Sequence, residues 1–282
     1  MLPDSENKML INCRGELMDL SRPKVMGIIN LTPDSFYEKS RENGKINLFK
    51  RIEQMIKEDV DIIDLGAYSS RPNADHISEQ DELNRSSIVY EISKEFPKLI
   101  TSIDTFRSKV AIQAIENGAS IINDISGGDL DANMFGTVSR LRVPYIMMHM
   151  KGTPQNMNSQ TNYNNLLIEI TKYFSKKINT LKLMGVNDII LDPGFGFAKN
   201  LTQNFKVLNH LNQFEIFGLP VLVGLSRKSF ISKTLSIDSN EALNGTTVMN
   251  TIALNQGAKI LRVHDVKEAK QAIQLFQALQ NS

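Results

Sequence analysis

The chain has 282 residues, 41% hydrophobic and 22% charged, which is enough apolar material to bury a large core and too much for a disordered chain. Lys and Arg number 32 against 31 Asp and Glu, so the charge balance gives no reason to expect nucleic acid or an anionic membrane as partner. A single cysteine, Cys13, excludes an internal disulfide, no apolar run approaches the roughly 18 residues needed to span a bilayer, and the start "MLPDSENK" has no apolar signal core, so the expected location is the cytoplasm.

In chain order, "MLINCRGELMDL" predicts a hairpin turning at Arg14-Gly15, part of an N-terminal extension over residues 1–22 that would cap the bottom of the fold. From there a short β-branched or apolar run, followed by a longer amphipathic stretch, recurs eight times. The predicted strands are 25–31 ("VMGIINL"), 62–67 ("IIDLGA"), 99–105 ("LITSIDT") and 121–126 ("IINDIS"). The other four are 144–150 ("PYIMMHM"), 189–194 ("IILDPG"), 220–226 ("PVLVGLS") and 260–265 ("ILRVHD"). Between them lie helical patterns, such as "NLFKRIEQMIKED" from Asn47 and "YNNLLIEITKYFSKKINTLKLMG" from Tyr163. Near-continuous apolar strands imply burial on both faces, as in parallel sheet covered by helices. Eight such units favour an α/β fold of the (β/α)8 TIM-barrel type, one domain over residues 1–282, over an open doubly wound sheet. No linker, low-complexity tract or charge block divides it.

The strand ends are polar, and in such a barrel the carboxyl-end rim carries the active site. After the first strand comes "NLTPDSF", after the second "YSSRPNAD", and the third and fourth end in "IDT" and "ND". The remaining four end in "MHMKGTPQ", "DPGFGFAKN", "GLSRKS" and "RVHD". Two kinds of group converge there. Arg71, Lys228, Arg262 and His264, with Ser226 and Ser229 nearby, suit a phosphate or diphosphate. Asp104, Asn123 and Asp192 suit the N–H and NH2 edge of a flat heterocycle. Asn30 and Asp34 are hard oxygen donors that would help hold a magnesium ion, Mg2+, beside the anion.

Each element also has a plainer reading. Asp104 and Asp192 would equally cap the following helices, His264 would be a satisfied structural histidine, and "GFGFAK" a turn. Met147, Met148 and Met150 would be packing residues, although methionine also lines the faces of flat ligands. Ser78, with Asp81 three residues on, resembles a capping box at a helix start. Only the joint occurrence at one rim favours the chemical reading.

The segments "MGIINLTPDSF", "DLGAYSSRPNA", "SIDT", "INDISG", "MMHMKGTPQNM", "DPGFGFAKN", "LVGLSRKSFI" and "GAKILRVHDV" resemble the dihydropteroate synthase family of the pterin-binding barrels, in that family's order, from Met26 to Val266. The resemblance implies condensation of 6-hydroxymethyl-7,8-dihydropterin diphosphate with 4-aminobenzoate, with magnesium, in a protein that is commonly a homodimer. It implies a pterin site at Asp104, Asn123, Met147, Asp192, Gly224 and Lys228. The aminobenzoate site would be Phe36, Ser70, Pro72, Phe195 and Ser229, and the catalytic groups Arg71, Lys228, Arg262 and His264, with Asn30 as the metal ligand.

The chain departs from the family pattern in two loops. "YEKSREN" stands where Ser-Asp-Gly-Gly is usual, leaving Gly44 the only nearby glycine, and "AYSSRPN" stands where Gly-Glu-Ser-Thr-Arg-Pro-Gly is common. Two alternatives are a pterin-dependent methyltransferase, which would not need "SRK" with "RVHD", and a catalytically silent pterin-binding homologue.

Overall fold

The computed structural model describes residues 9–31, 41–68 and 77–282, with the backbone alone at 41–43. The first described elements are the predicted hairpin. β1 (Leu10–Cys13) and β2 (Glu16–Asp19) pair antiparallel with Cys13 opposite Glu16, which leaves a two-residue turn. Arg14 and Gly15 both take positive φ, 56° and 89°, the combination that matches a tight hairpin to the right-handed twist of its strands.

All eight predicted barrel strands form: β3 (Lys24–Asn30), β4 (Ile62–Gly66), β5 (Ile100–Asp104), β6 (Ile121–Asp124), β7 (Tyr145–Met148), β8 (Ile189–Asp192), β9 (Leu222–Val223) and β10 (Ile260–Val263). They pair in parallel in the order β8-β7-β6-β5-β4-β3-β10-β9. A bridge between Leu191 and Val221, with the Leu191 N–H donating to Pro220 O at 2.9 Å, joins β8 to β9 and closes the barrel. β9 is shorter than predicted, and Pro220 at its start has no N–H to give the ladder.

Helices follow every barrel strand. α1 (Arg41–Lys57) follows β3, and α2 (Glu79–Ser86) and α3 (Val89–Glu95) follow β4. Then come α4 (Ser108–Glu116), α5 (Met134–Leu141), α6 (Leu166–Leu183) and α7 (Leu201–Asn209). α8 (Ser229–Leu235) and α9 (Leu243–Asn255) follow β9, and α10 (Val266–Gln280) follows β10. At the start of α2 the Ser78 hydroxyl accepts the Asp81 N–H at 3.1 Å and donates to the Asp81 carboxylate at 2.6 Å. The cap is therefore as read, but the return bond goes to the hydroxyl and not to the backbone.

Alternation along the strands builds the interior in layers. Met26, Ile62, Ile100, Ile121, Ile146, Ile190, Leu222 and Ile260, one from each strand, pack against Ile11, Cys13, Met18 and Leu20 of the hairpin. Arg14 donates to Gly118 O at 2.6 Å and the Asn12 N–H to Asp188 at 3.1 Å, in the loops that lead into β6 and β8. The hairpin is thus a plug at the amino-terminal end of the barrel. Burial pushes the Cys13 thiol up to about 12, which leaves it unreactive. Two residues further along seven of the strands stand Asp64, Ser102, Asn123, Met148, Asp192, Gly224 and Arg262. The apolar floor thus gives way to a predominantly polar layer toward the carboxyl ends. Side chains of opposite parity, such as Ile63, Ile103, Tyr145, Met147, Leu191 and Leu261, pack outward in the main core.

Candidate active site

A cleft of about 400 Å³, counting the space open to solvent, lies on that polar layer. It is lined by Asp104, Asn123, Ile125, Met148, Asp192, Phe195, Phe197, Gly224, Lys228 and Arg262. Six strands or the loops just beyond them supply these residues, so the site exists only once the barrel is closed.

Arg262 organises the floor. Its Nε donates to Asp64 Oδ2 at 2.7 Å and its Nη2 to Asp104 Oδ2 at 2.8 Å. Asp64 Oδ2 also accepts from Asn123 Nδ2 at 3.0 Å, while Asp64 Oδ1 is buried without a partner. A guanidinium carries five N–H donors in a rigid fork; with Nε and Nη2 held on two carboxylates, the Nη1 edge is the one left for a ligand. Burial raises Asp104 to about 7, with Arg262 pulling the other way and Asp64 adding to the rise. Burial likewise lifts Asp192, opposed by the Gly194 N–H and by the charges of Lys228 and Arg262. For Arg262, the burial penalty is outweighed by Asp64 and Asp104, so the guanidinium stays charged.

The remaining wall is apolar and flat-sided. Met148, Phe195, Phe197 and Ile125 face the cleft, and Lys228 Nζ stands 4.5 Å above the centre of the Phe197 ring. A Cβ built on Gly224 would meet nothing within 4 Å, so this glycine borders open space in the cleft. Asp192 Oδ1 accepts the Gly194 N–H at 2.7 Å, fixing the carboxylate at the end of β8.

The "SRKS" and "RVHD" segments are cross-linked. Ser226 Oγ lies 3.0 Å from His264 Nδ1 and accepts the His264 N–H at 3.2 Å. Arg227 makes a bidentate pair with Asp265, Nε to Oδ2 at 3.0 Å and Nη2 to Oδ1 at 2.8 Å. These two bridges are a physical reason for the segments to occur together: they fix the loop that presents Lys228 against the strand that presents Arg262.

Of the residues singled out from the sequence, Asp104, Asn123, Asp192, Gly224, Lys228, Arg262 and Phe195 meet in one cleft. His264 lies beyond it, half-buried against Ser226, and Ser229 is exposed as the first residue of α8. Asn30 is exposed at the carboxyl end of β3. Neither Asp104 nor Asp192 caps the following helix: the Ser108 N–H is taken by Asp131, and α7 is capped by Asn200. Asp34, Phe36, Ser70, Arg71, Pro72 and Asn73 lie outside the described residues.

One expectation is corrected. Met147 is fully buried in the outer core between strand and helices; Met148 lines the cleft. Parity decides it, because Ile146 faces the barrel interior and Met148 shares its side. Sequence reasoning also missed Asp64, Ile125 and Phe197. Asp64 had a readable signal, a lone carboxylate two residues after Ile62 within an otherwise apolar strand.

The pterin binding enzyme family profile matches residues 26–264. The dihydropteroate synthase of Escherichia coli is 38% identical over 276 residues, covering 96% of each chain. Among solved structures, the Yersinia pestis dihydropteroate synthase in a sulfonamide drug complex superposes with a TM-score of 0.90 at 36% identity, covering 97% of this chain and 100% of that one. The Xanthomonas albilineans dihydropteroate synthase with 4-aminobenzoic acid also gives 0.90, at 31% identity and 98% and 99% coverage.

Proposed function

The chain belongs to the pterin-binding enzyme family, and we infer that its activity is that of a dihydropteroate synthase. It joins 6-hydroxymethyl-7,8-dihydropterin diphosphate to 4-aminobenzoate, releasing pyrophosphate, and is in class a transferase. The observation that carries this reading is the cluster of Arg262, Asp64, Asp104, Asn123 and Asp192 beneath a flat-walled cleft. Carboxylates and an amide match the N–H and NH2 edge of a pterin, and Met148 and Gly224 match its faces.

The chemistry follows from the two reactants. An aniline nitrogen is uncharged at neutral pH and needs little general-base help, so the burden falls on the departing diphosphate. Lys228, the free edge of Arg262, His264 and Arg71 would stabilise its growing charge; one such donor is typically worth about 2 to 4 kcal/mol in the transition state. The electron-rich pterin shares the positive charge on its methylene carbon, and Asp104, beside Arg262, favours that charge electrostatically. A dissociative substitution results, in which the cation must be kept from water. Phe36, Ser70, Pro72, Phe195 and Ser229 would receive the aminobenzoate.

Magnesium fits as a partner of the diphosphate. Asn30 offers a hard amide oxygen at the rim, and the oxygens of the diphosphate would supply further ligands. When bound, it would neutralise charge on the leaving group. A homodimer is supported by exposed apolar residues on α10, Leu275 and Leu279, at 73% and 70% exposure. A cytoplasmic location accords with a lone buried thiol at Cys13.

Expression in a bacterium deleted for its own dihydropteroate synthase tests the reading. Growth without added folate end-products is expected; failure to grow despite abundant folded protein would contradict it.

A further inference from the structure

The turn after β8, residues 193–198, brings Phe195 and Phe197 into the cleft, yet it is held from behind. Gly194, Gly196 and Ala198 all take positive φ, at 72°, 79° and 48°. Alanine pays a steric cost in that conformation, so the surroundings must impose it. Tyr163 Oη donates to Ala198 O at 2.9 Å, and Asn204 Oδ1 accepts the Gly196 N–H at 2.7 Å. Lys199 Nζ donates to Gly194 O at 3.0 Å and to Phe197 O at 3.2 Å, and stands 3.1 Å from His149 Nδ1.

Lys199 and His149 are buried, at 7% and 2% exposure. An ammonium group has three N–H donors and no acceptor, and here it meets three acceptors, provided His149 is neutral with its proton on Nε2. Burial and the adjoining Lys199 hold that imidazole well below its usual range, which meets the condition. His149 is itself tied to the same unit. Its N–H donates to Asp192 O at 2.9 Å, and its carbonyl lies so close to Gly194 that a Cβ there would come within 2.1 Å. Burial draws Lys199 down to about 7 against the pull of Asp192, and Asp192 in turn feels Lys228, Arg262 and Lys199 as its opposing cations.

We propose, resting on the synthase reading, that Lys199 is a positioning residue for the pterin: set by His149, it pins the carbonyls that shape the turn and supplies the positive charge behind Asp192. Lys199 does not touch the substrate. It acts through Asp192, which presents its carboxylate to the heterocycle, and through the placement of Phe195 and Phe197.

The test is binding of 6-hydroxymethylpterin, read by its fluorescence, between about pH 6 and 9, a range that spans the Lys199 titration. Asp192 feels the charges of Lys228, Arg262 and Lys199, and Lys199 those of Asp192, Lys228 and Lys151, with His149 beside it; Asp104, raised to about 7 in the same cleft, titrates in the same range, so the Lys199 shift is read as a difference from the wild-type profile. Lys199→Met should weaken binding about tenfold and move the acid-side midpoint of binding up by about one pH unit, since Asp192 then loses one of its cations. The deficit should be greatest at the acid end, where wild-type Lys199 is charged. Tyr163→Phe, which releases the same turn without changing charge, should leave the midpoint in place. Lys199→Gln keeps donors for the carbonyls and should shift the midpoint as Lys199→Met does, which covers the case in which the methionine variant does not fold. An unmoved midpoint in a folded Lys199 variant would overturn the proposal and reduce Lys199 to a structural tie. No pterin binding by the wild-type protein would instead refute the synthase reading.

Discussion

Arg262 and Asp64 are 198 positions apart in the chain, and the Nε of one donates to the Oδ2 of the other at 2.7 Å in the floor of the cleft. Asp64 also accepts from Asn123, so a fully buried carboxylate links two residues that reach the ligand space. Asp64→Asn keeps the shape and removes the charge. Breaking a buried pair from one side typically costs about 3 to 5 kcal/mol. Urea unfolding should show a loss of that order, and kcat/KM for the pterin diphosphate should fall by at least about a hundredfold, because Arg262 and Asn123 lose a common anchor.

Arg262→Lys preserves the charge and removes the fork. An ammonium on a flexible stem cannot reproduce the planar guanidinium that bridges Asp64 and Asp104 while leaving an edge for the substrate. Steady-state kinetics should show kcat reduced by about a hundredfold, with the aminobenzoate KM nearly unchanged. A fully active lysine variant would mean that charge alone suffices.

Gly224 separates ligand space from folding. Because a Cβ there meets no protein atom within 4 Å, Gly224→Ala should leave the unfolding free energy within about 1 kcal/mol of the wild type. Pterin binding should weaken by about tenfold or more, since the methyl group occupies the volume that a flat ring needs. Thermal melting and pterin fluorescence on the same samples check both halves.

Acid should weaken the free enzyme through Asp104. Its carboxyl, raised by burial to about 7, takes a proton as the pH falls through that value, and the protonated group no longer offers Arg262 a charge. The expected profile of kcat/KM for the pterin diphosphate therefore rises from acid toward neutral pH, with its inflection near 7. Asp104→Asn should remove its own part of that inflection and leave the part due to Asp192, together with a loss of most of the activity.

Substitution at the opposite end of the barrel should act on stability alone. Leu20 is fully buried where the hairpin plugs the strand floor. Leu20→Ala should cost about 2 to 5 kcal/mol through the cavity it leaves, with both KM values unchanged. A kinetic effect would mean that the plug and the cleft are coupled.

The barrel was legible because every strand carried two messages at once. Apolar content on both faces marked parallel strands, and a polar residue at each carboxyl end marked the rim. The hairpin was legible from Gly15 between two short apolar runs, since glycine takes the positive φ that a two-residue turn requires. The choice between Met147 and Met148 was not, because "PYIMMHM" is apolar on both faces and only the packed barrel shows that Ile146 faces inward. Asp64 was hidden by the same apolar context, although its two-residue spacing from Ile62 would have placed it inside. Lys199 read as the end of a glycine-rich turn. Its partner His149 is fifty positions away, and nothing local to either residue announces the other.

The most direct test measures pyrophosphate and 7,8-dihydropteroate in one reaction of the purified protein with dihydropterin diphosphate, magnesium and 4-aminobenzoate, beside a control lacking aminobenzoate. Equal amounts of the two products, both dependent on aminobenzoate and both strongly reduced in Arg262→Lys, are the predicted result. Tight pterin binding with no dihydropteroate formed would contradict the account and leave the chain a pterin-binding protein without the synthase reaction.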